Sequence, residues 1–465
     1  MSLEESPLLV EATEAIPDHE KVYQRFTSAQ KRIIVLIVSW GGVLPLFVSG
    51  SFVPSIPQIA RELGSTGSII NLAVSLSLFS GAICSLVWAT YSGYYGRRPI
   101  YLVAAPCLSI GSLGVATCGS VPTLLAWRVV QAGGASCGFS VGAGVIGDIY
   151  KLEERGTALG VFFAASLSGA AFAPVAGGLA AHYASWRAMQ YVLFANGLAA
   201  LIAVALFLPE TSHPGARGVD KATDEPRRHR WVWLNPFRCL ALLRAPTVAA
   251  ITLVAITVLL TDFVLLIPLS YTIGARYNIT NEALIGSFFI AAGVGNILGA
   301  PISGMVSDHI VVKWRKLRGG DWVPEDRLRG TLLPMFILVP LSILCSGLTT
   351  QFIPGRLGII LNVLCLLMNG IGVDLVLAPI SAYIVDILHS KSAEAMAAHK
   401  GVRNLVVSGI IAPILPLINL IGVASTNALA AFIAWIGAFI LLCTIRYGAK
   451  MRTWVDVSYS TIEDN

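Results

Sequence analysis

The chain has 465 residues, 55% of them hydrophobic and only 12% charged, with a formal net charge of +6. Its apolar residues fall into about twelve runs of roughly twenty, the length a helix needs to cross a hydrocarbon core. A soluble enzyme and a nucleic-acid binder are thereby excluded, and the 44 glycines spread through the runs suit close helix contact in lipid.

Residues 1–32 are polar and begin with an acidic stretch, which predicts a disordered tail and no cleavable leader. Within that tail, Glu4-Glu5-Ser6-Pro7-Leu8-Leu9 resembles an acidic dileucine sorting signal, a match short enough to arise by chance. Spans are predicted at 33–59, 68–90, 100–120, 122–147, 155–182 and 185–208, which make one six-helix bundle over 33–208. A polar loop at 209–245 carries Arg227-Arg228-His229-Arg230 followed by Trp231 and Trp233, a composition that favours an anionic headgroup surface. Six more spans, at 246–276, 281–307, 329–350, 356–387, 400–422 and 425–447, make a second bundle over 246–447, and residues 448–465 form a tail. Of the 32 Lys and Arg residues, 26 fall on the side of the two termini, four on the opposite side and two within spans. Such a bias puts both termini and the central loop in the cytosol. It also puts the sequon Asn278-Ile279-Thr280 outside, with Asn278 as a glycosylation acceptor.

Three stretches carry a family resemblance. After span 2 comes Ser92-Gly93-Tyr94-Tyr95-Gly96-Arg97-Arg98-Pro99; span 4 holds Arg128-Val129-Val130-Gln131-Ala132-Gly133-Gly134-Ala135; span 5 holds Gly169-Ala170-Ala171-Phe172-Ala173-Pro174-Val175-Ala176-Gly177-Gly178. In order and position they resemble motifs of the major facilitator superfamily, and the span 5 stretch is similar to that of its proton-coupled antiporters. Leu208-Pro209-Glu210-Thr211 and Leu234-Asn235-Pro236-Phe237 further resemble fungal members of the twelve-spanner drug:proton antiporter family. The resemblance implies an all-α fold of twelve transmembrane helices in two six-helix bundles, with the solute between them. It implies gating roles for Gly96, Arg97 and Arg98, for Gly169, Pro174, Gly177 and Gly178 where the halves meet, and for Gly304 and Asp308 after span 8. The first loop departs from the family pattern, since Gly93 stands where an Asp is usual, so its inner clasp is in doubt.

Charges inside the spans carry most of the remaining information, because one at mid-bilayer costs about 2.5 to 3.5 kcal/mol. Arg128 and Gln131 share a face of span 4 and suit an anionic solute, or else Arg128 bonds to backbone carbonyls of its own bundle. Asp374 first, and Asp262 second, are the candidate proton carriers, each near mid-depth; the alternative is a permanent ion pair with Arg403. Asn362 and Asn369, seven apart on span 10, are candidate wall residues of the cavity, with Arg403, Asn196 and Tyr271 beside them. Trp40, Phe47, Phe79, Phe194 and Phe263 are available for an apolar lining. The eight cysteines show no metal spacing and read as packing residues; no cofactor and no metal are expected. No nucleophile, phosphate loop or metal cluster stands in a motif context, so an enzyme is not expected. The expected partners are a small-molecule substrate, protons and membrane lipids, with no nucleic acid and a monomeric state. The expected activity is export of a drug-like compound, organic acid or secondary metabolite in exchange for protons, at the plasma membrane or, alternatively, the vacuolar membrane. The competing readings are a proton-coupled uptake symporter of the same fold and a transport-dead sensor, for which the tail after Tyr447 is short.

Overall fold

Backbone N–H and C=O groups find no water in hydrocarbon, so each apolar run must pair its own peptide groups and folds as a helix. The computed structural model describes residues 22–150, 152–213, 217–221, 232–321, 323–388 and 392–455. Among the described residues twelve helices cross the bundle, counting a bent pair as one: α1 (Ser28–Gly50), α2 (Gly67–Tyr95), α3 (Arg97–Thr117), α4 (Val121–Ile149), α5 (Leu152–Tyr183), α6 (Trp186–Phe207), α7 (Pro246–Leu266), α8 (Glu282–Leu317), α9 (Val339–Phe352), α10 (Gly355–Ile387), α11 (Ser392–Ile411) and α12 (Val423–Arg452). Prolines, which lack a donor, accompany the breaks. Ile56–Glu62 continues α1 beyond Pro54, a π-helical turn at Ser270–Gly274 follows Pro268, another at Pro334–Leu338 leads into α9, and Ile414–Ile421 continues α11 after a bend of 41° at Pro413. The sorting-signal stretch Glu4 to Leu9 and the basic run Arg227 to Arg230 with Trp231 lie outside the described residues.

Polar residues at the helix starts hold the first N–H groups, which have no partner within the helix. Thr27 and Gln30 form a reciprocal capping box on α1, Ser185 accepts from Ala188 N at 3.1 Å on α6, and Asn281 accepts from Ala283 N at 2.8 Å on α8. Gly96, at φ +105°, makes the turn between α2 and α3, where a side chain would also collide with the Glu210 carboxylate. Two predicted boundaries are corrected. α8 runs on to Leu317 and not only to 307, and α11 is helical from Ser392 and not from 400. Hydropathy marks the apolar slab, whereas helix hydrogen bonding continues through the solvated turns beyond it.

An even number of crossings places the start of α1 and the end of α12 on one face, the terminal face; the opposite one is the far face. The halves meet along two pairs, α5 with α8 and α2 with α11. The first seam exists because side chains are missing. A Cβ on Gly178 would stand 2.4 Å from the Glu282 carbonyl oxygen and one on Gly286 2.5 Å from that of Pro174, whereas one on Gly177 would stand 2.0 Å from that of Ser51 inside the first half. Across the second seam, Asn71 donates to the Ile411 carbonyl at 3.0 Å and Ser75 to that of Ser408.

Apolar packing follows the same asymmetry. One buried cluster at the far face crosses between the halves, joining Phe52, Ile56, Ile70 and Val74 to Val264, Ile285, Phe288 and Ile411. Toward the terminal face the core divides: Ile34, Tyr91, Ile100 and Val145 pack within the first half, and Val248, Leu328, Ile384 and Leu441 within the second. Among the described residues, the large apolar cluster shared by both halves is thus at the far face.

Candidate substrate and proton site

The terminal face holds two clasps, one in each half. In the first, Arg97 Nε reaches Asp148 at 2.9 Å, while the Glu210 carboxylate accepts from the main-chain N–H groups of Arg97, at 2.9 Å, and Arg98, at 3.2 Å. Arg98 also donates to the Ala205 carbonyl at 2.8 Å. Asp148 of α4 therefore supplies the carboxylate that Gly93 cannot. In the second half, Arg327 bonds to Asp386 at 2.7 Å and to Asp308 at 3.3 Å, and Asp326 takes Arg318 and Arg329. Arg452 and Tyr383 meet on Glu325. Gly304 has open space where a side chain would stand, so close approach is not its role in this arrangement.

At the far face, Glu282 of α8 accepts from Arg61 at 3.1 Å and contacts His182 of α5 at 3.5 Å, tying the second half to the first. Tyr271 lies at the same level, its hydroxyl packed where a Gly67 side chain would be, which makes it part of the closure between halves. Exposed pairs of this kind contribute about 0 to 1 kcal/mol. Glu282→Gln is accordingly expected to loosen the seal without unfolding it: labelling of a Ser75→Cys reporter by a membrane-impermeant maleimide should rise by about two- to fivefold. Asn278 is exposed in the same region in a left-handed conformation, φ 53°, that Asn tolerates.

Several predicted wall residues turn inward to hold their own half together. Arg128 is fully buried, donates to the Val48 carbonyl at 3.2 Å and to Gln131 at 2.8 Å, and lies 4.2 Å over the Phe52 ring. Gln131 passes the chain on to Ser112 and Gln190, each at 2.9 Å. Only its Nη1 bonds within its own bundle; Arg128 Nε and Nη2 are buried without a hydrogen-bond partner. Asn362 accepts from Ser346 at 2.7 Å and Thr350 at 3.2 Å and donates to the Gly358 carbonyl; Asn369 donates to Ser342 at 3.0 Å and Thr261 at 3.4 Å. Both asparagines share one face of α10 as expected, but that face looks toward α9 and α7. Asn196 donates to the Val192 carbonyl of its own helix at 2.9 Å.

Asp374 points elsewhere, toward α8. There the glycines let main chains nearly touch: a Cβ on Gly299 would lie 3.1 Å from the Asp374 Cβ, and one on Gly370 2.4 Å from the Ala292 carbonyl oxygen. Along this seam Asp374 Oδ2, Asn296 Oδ1 and Ser303 Oγ are all buried without a hydrogen-bond partner. Asp262 of α7 lies near enough for its charge and that of Asp374 to repel. Neither carboxylate makes an ion pair with Arg403, whose Nε donates to Asn404 at 3.2 Å. Among the described residues, therefore, neither acidic group has a basic partner.

Sequence reasoning missed two residues beside Arg403, because the predicted span began at 400. His399 is fully buried and shares a 2.9 Å hydrogen bond with Thr252 of α7. Lys400 extends to the first half, its Nζ 5.3 Å from the Phe139 ring of α4 and 5.8 Å from the Phe163 ring of α5. The pattern of three basic residues at 399, 400 and 403, one turn of helix, was the available sign.

Known proteins resemble the chain in sequence and in fold. The chain is 29% identical over 214 residues to Citrate exporter 1 of Aspergillus niger, a match that takes in 46% of the chain and 40% of that protein. The chain thus spans less than half the length of some curated relatives that it matches. To Efflux pump radE of Floropilus chiversii it is 26% identical over 444 residues, covering 89% of the chain and 81% of the relative. The crystal structure of a bacterial homologue of the human lysosomal transporter Spinster, inward-facing and unoccupied, superposes with a TM-score of 0.67 at 13% identity, over 92% of this chain and 99% of that one. The sequence pattern of the Major Facilitator Superfamily matches residues 38–413, and the chain belongs to that superfamily of membrane transporters, which are not enzymes.

Proposed function

We propose that this chain is a secondary exporter that carries a small organic molecule out across a membrane in exchange for protons, its two halves rocking to expose a central site to each face in turn. The observation that carries this reading is the partnerless carboxyl oxygen of Asp374, at mid-depth beside a second carboxylate. A group in that position alternates between a charged and a neutral state at low cost only if a proton comes and goes. The shared apolar cluster at the far face supports rocking, since opening it requires the halves to part there and close where their cores are now separate. The names of Citrate exporter 1 and Efflux pump radE support the outward direction. On the charge bias, the terminal face is cytosolic, and the plasma membrane is the proposed location.

Direction is tested in proteoliposomes that contain a pH reporter, with citrate, benzoate and tetraphenylphosphonium as trial solutes. Exchange predicts that a solute moving one way drives protons the other. Solute and protons moving together would overturn export and establish uptake by symport.

A further inference from the structure

Lys400 and Arg403 are two cationic groups one helical turn apart on α11, half-buried, and among the described residues neither makes an ion pair. Their charges repel each other and that of any proton placed on His399. Lys400 is not anchored within its own half. Its ammonium reaches across to a wall of three rings, in which Phe139, Phe162 and Phe163 pack with centroids 5.2 to 5.9 Å apart. Aromatic faces attract a cation but do not neutralise it. Nor do the acids of the second half's spans balance the cluster: Asp374 faces α8, and among the described residues neither it nor Asp262 pairs with a basic group.

We propose that the transported solute is an organic acid in its anionic form, that Lys400 and Arg403 hold its carboxylate groups, and that Phe139 and Phe163 cover its carbon skeleton from the opposite half. Side chains three apart on a helix are about 5 to 6 Å apart at Cβ, a spacing that two carboxylates of one small molecule bridge. In the empty carrier the Lys400 ammonium rests on the rings. An arriving anion takes it from them and leaves the apolar face of the solute against those rings, so that both halves contact one ligand. This rests on the transporter reading but not on its direction or on proton coupling.

The test is therefore an equilibrium binding measurement with no pH gradient, on the full-length purified protein, with radiolabelled citrate and benzoate and with tetraphenylphosphonium as the cationic probe. Wild type is expected to bind citrate more tightly than benzoate and to bind tetraphenylphosphonium least. Lys400→Met and Arg403→Met should each weaken citrate binding by tenfold or more while leaving the melting temperature within a few degrees. Because either variant could fail to fold, Lys400→Arg is the second arm: it keeps the charge and should bind citrate more tightly than Lys400→Met does. Binding of tetraphenylphosphonium in preference to both acids, binding of none of the probes, or unchanged citrate binding in Lys400→Met would overturn the proposal. So would loss of citrate binding in a folded Lys400→Arg. Citrate bound but not exchanged for protons would support the anion site and instead refute proton-coupled export.

Discussion

Asp374→Asn is expected to abolish proton-driven transport while leaving a folded carrier that still exchanges solute for solute. The substitution keeps the size and much of the hydrogen-bonding capacity of the side chain, so packing against Gly299 of α8 should survive. What it removes is the ability to alternate between a charged and a neutral state. Each proton moving down 100 mV contributes about 2.3 kcal/mol, enough to sustain roughly a fiftyfold solute gradient at one proton per cycle. In proteoliposomes with an imposed pH gradient, that accumulation should fall to the level of passive leak. Counterflow, which moves no net protons, should stay within a few-fold of wild type. Asp262→Asn should slow proton-driven exchange by less, because the remaining carboxylate at position 374 still lacks a partner. Undiminished pH-driven flux in Asp374→Asn would remove this residue from the mechanism.

The fold was legible because its cause is local. Twelve apolar runs of membrane length can be counted from the residues alone, and so can the charge asymmetry that orients them. Packing was legible where it depends on what is missing: Gly177 and Gly178 were expected at the seam between halves, and Gly178 abuts the main chain of Glu282 there, whereas Gly177 abuts Ser51 of its own half. Direction in space was not legible. Asn362, Asn369 and Asp374 lie on one helix, and periodicity shows that the first two share a face. Which neighbour that face meets depends on how α10 is rotated in its bundle, which only the packed structure decides. Likewise the absence of an acid at Gly93 predicted a weakened clasp, whereas Asp148, more than fifty positions away in sequence, takes over the contact to Arg97. Lys400 was hidden by a rule that usually works: a charged residue beside an apolar run ends the predicted span, yet α11 begins eight residues earlier and carries the charge inward. Arg128 shows the converse, a charge within a span whose partners are a carbonyl, an amide and a ring of its own half.

The glycine seam yields the second large effect. In Gly178→Val, the new Cβ would meet the Glu282 carbonyl oxygen at 2.4 Å and the Glu282 carbonyl carbon at 3.1 Å, and neither backbone atom can turn aside as a flexible side chain would. Overpacking of this kind costs about 1 to 3 kcal/mol. Position 178 lies between two halves that part in the proposed cycle, so the clash can be relieved by parting them at the far face, with no helix unfolded. The cost then becomes a shift in the equilibrium between states of about 5- to 150-fold toward the form open at that face. The expected result is a monodisperse protein in which a Ser75→Cys reporter, buried against Ser408 in the sealed state, is labelled readily by an impermeant maleimide, and in which transport falls by more than tenfold. Two comparisons separate this from general damage. Gly304→Ala, with nothing within 4 Å, should leave both labelling and transport unchanged. Gly138→Val, whose Cβ would stand 1.9 Å from the Gly41 carbonyl oxygen inside the first half, has no such escape and should lower the yield of folded protein. Gly178→Val that loses folded protein as severely as Gly138→Val would show that α5 and α8 are fixed together, and rocking at that seam would have to be abandoned.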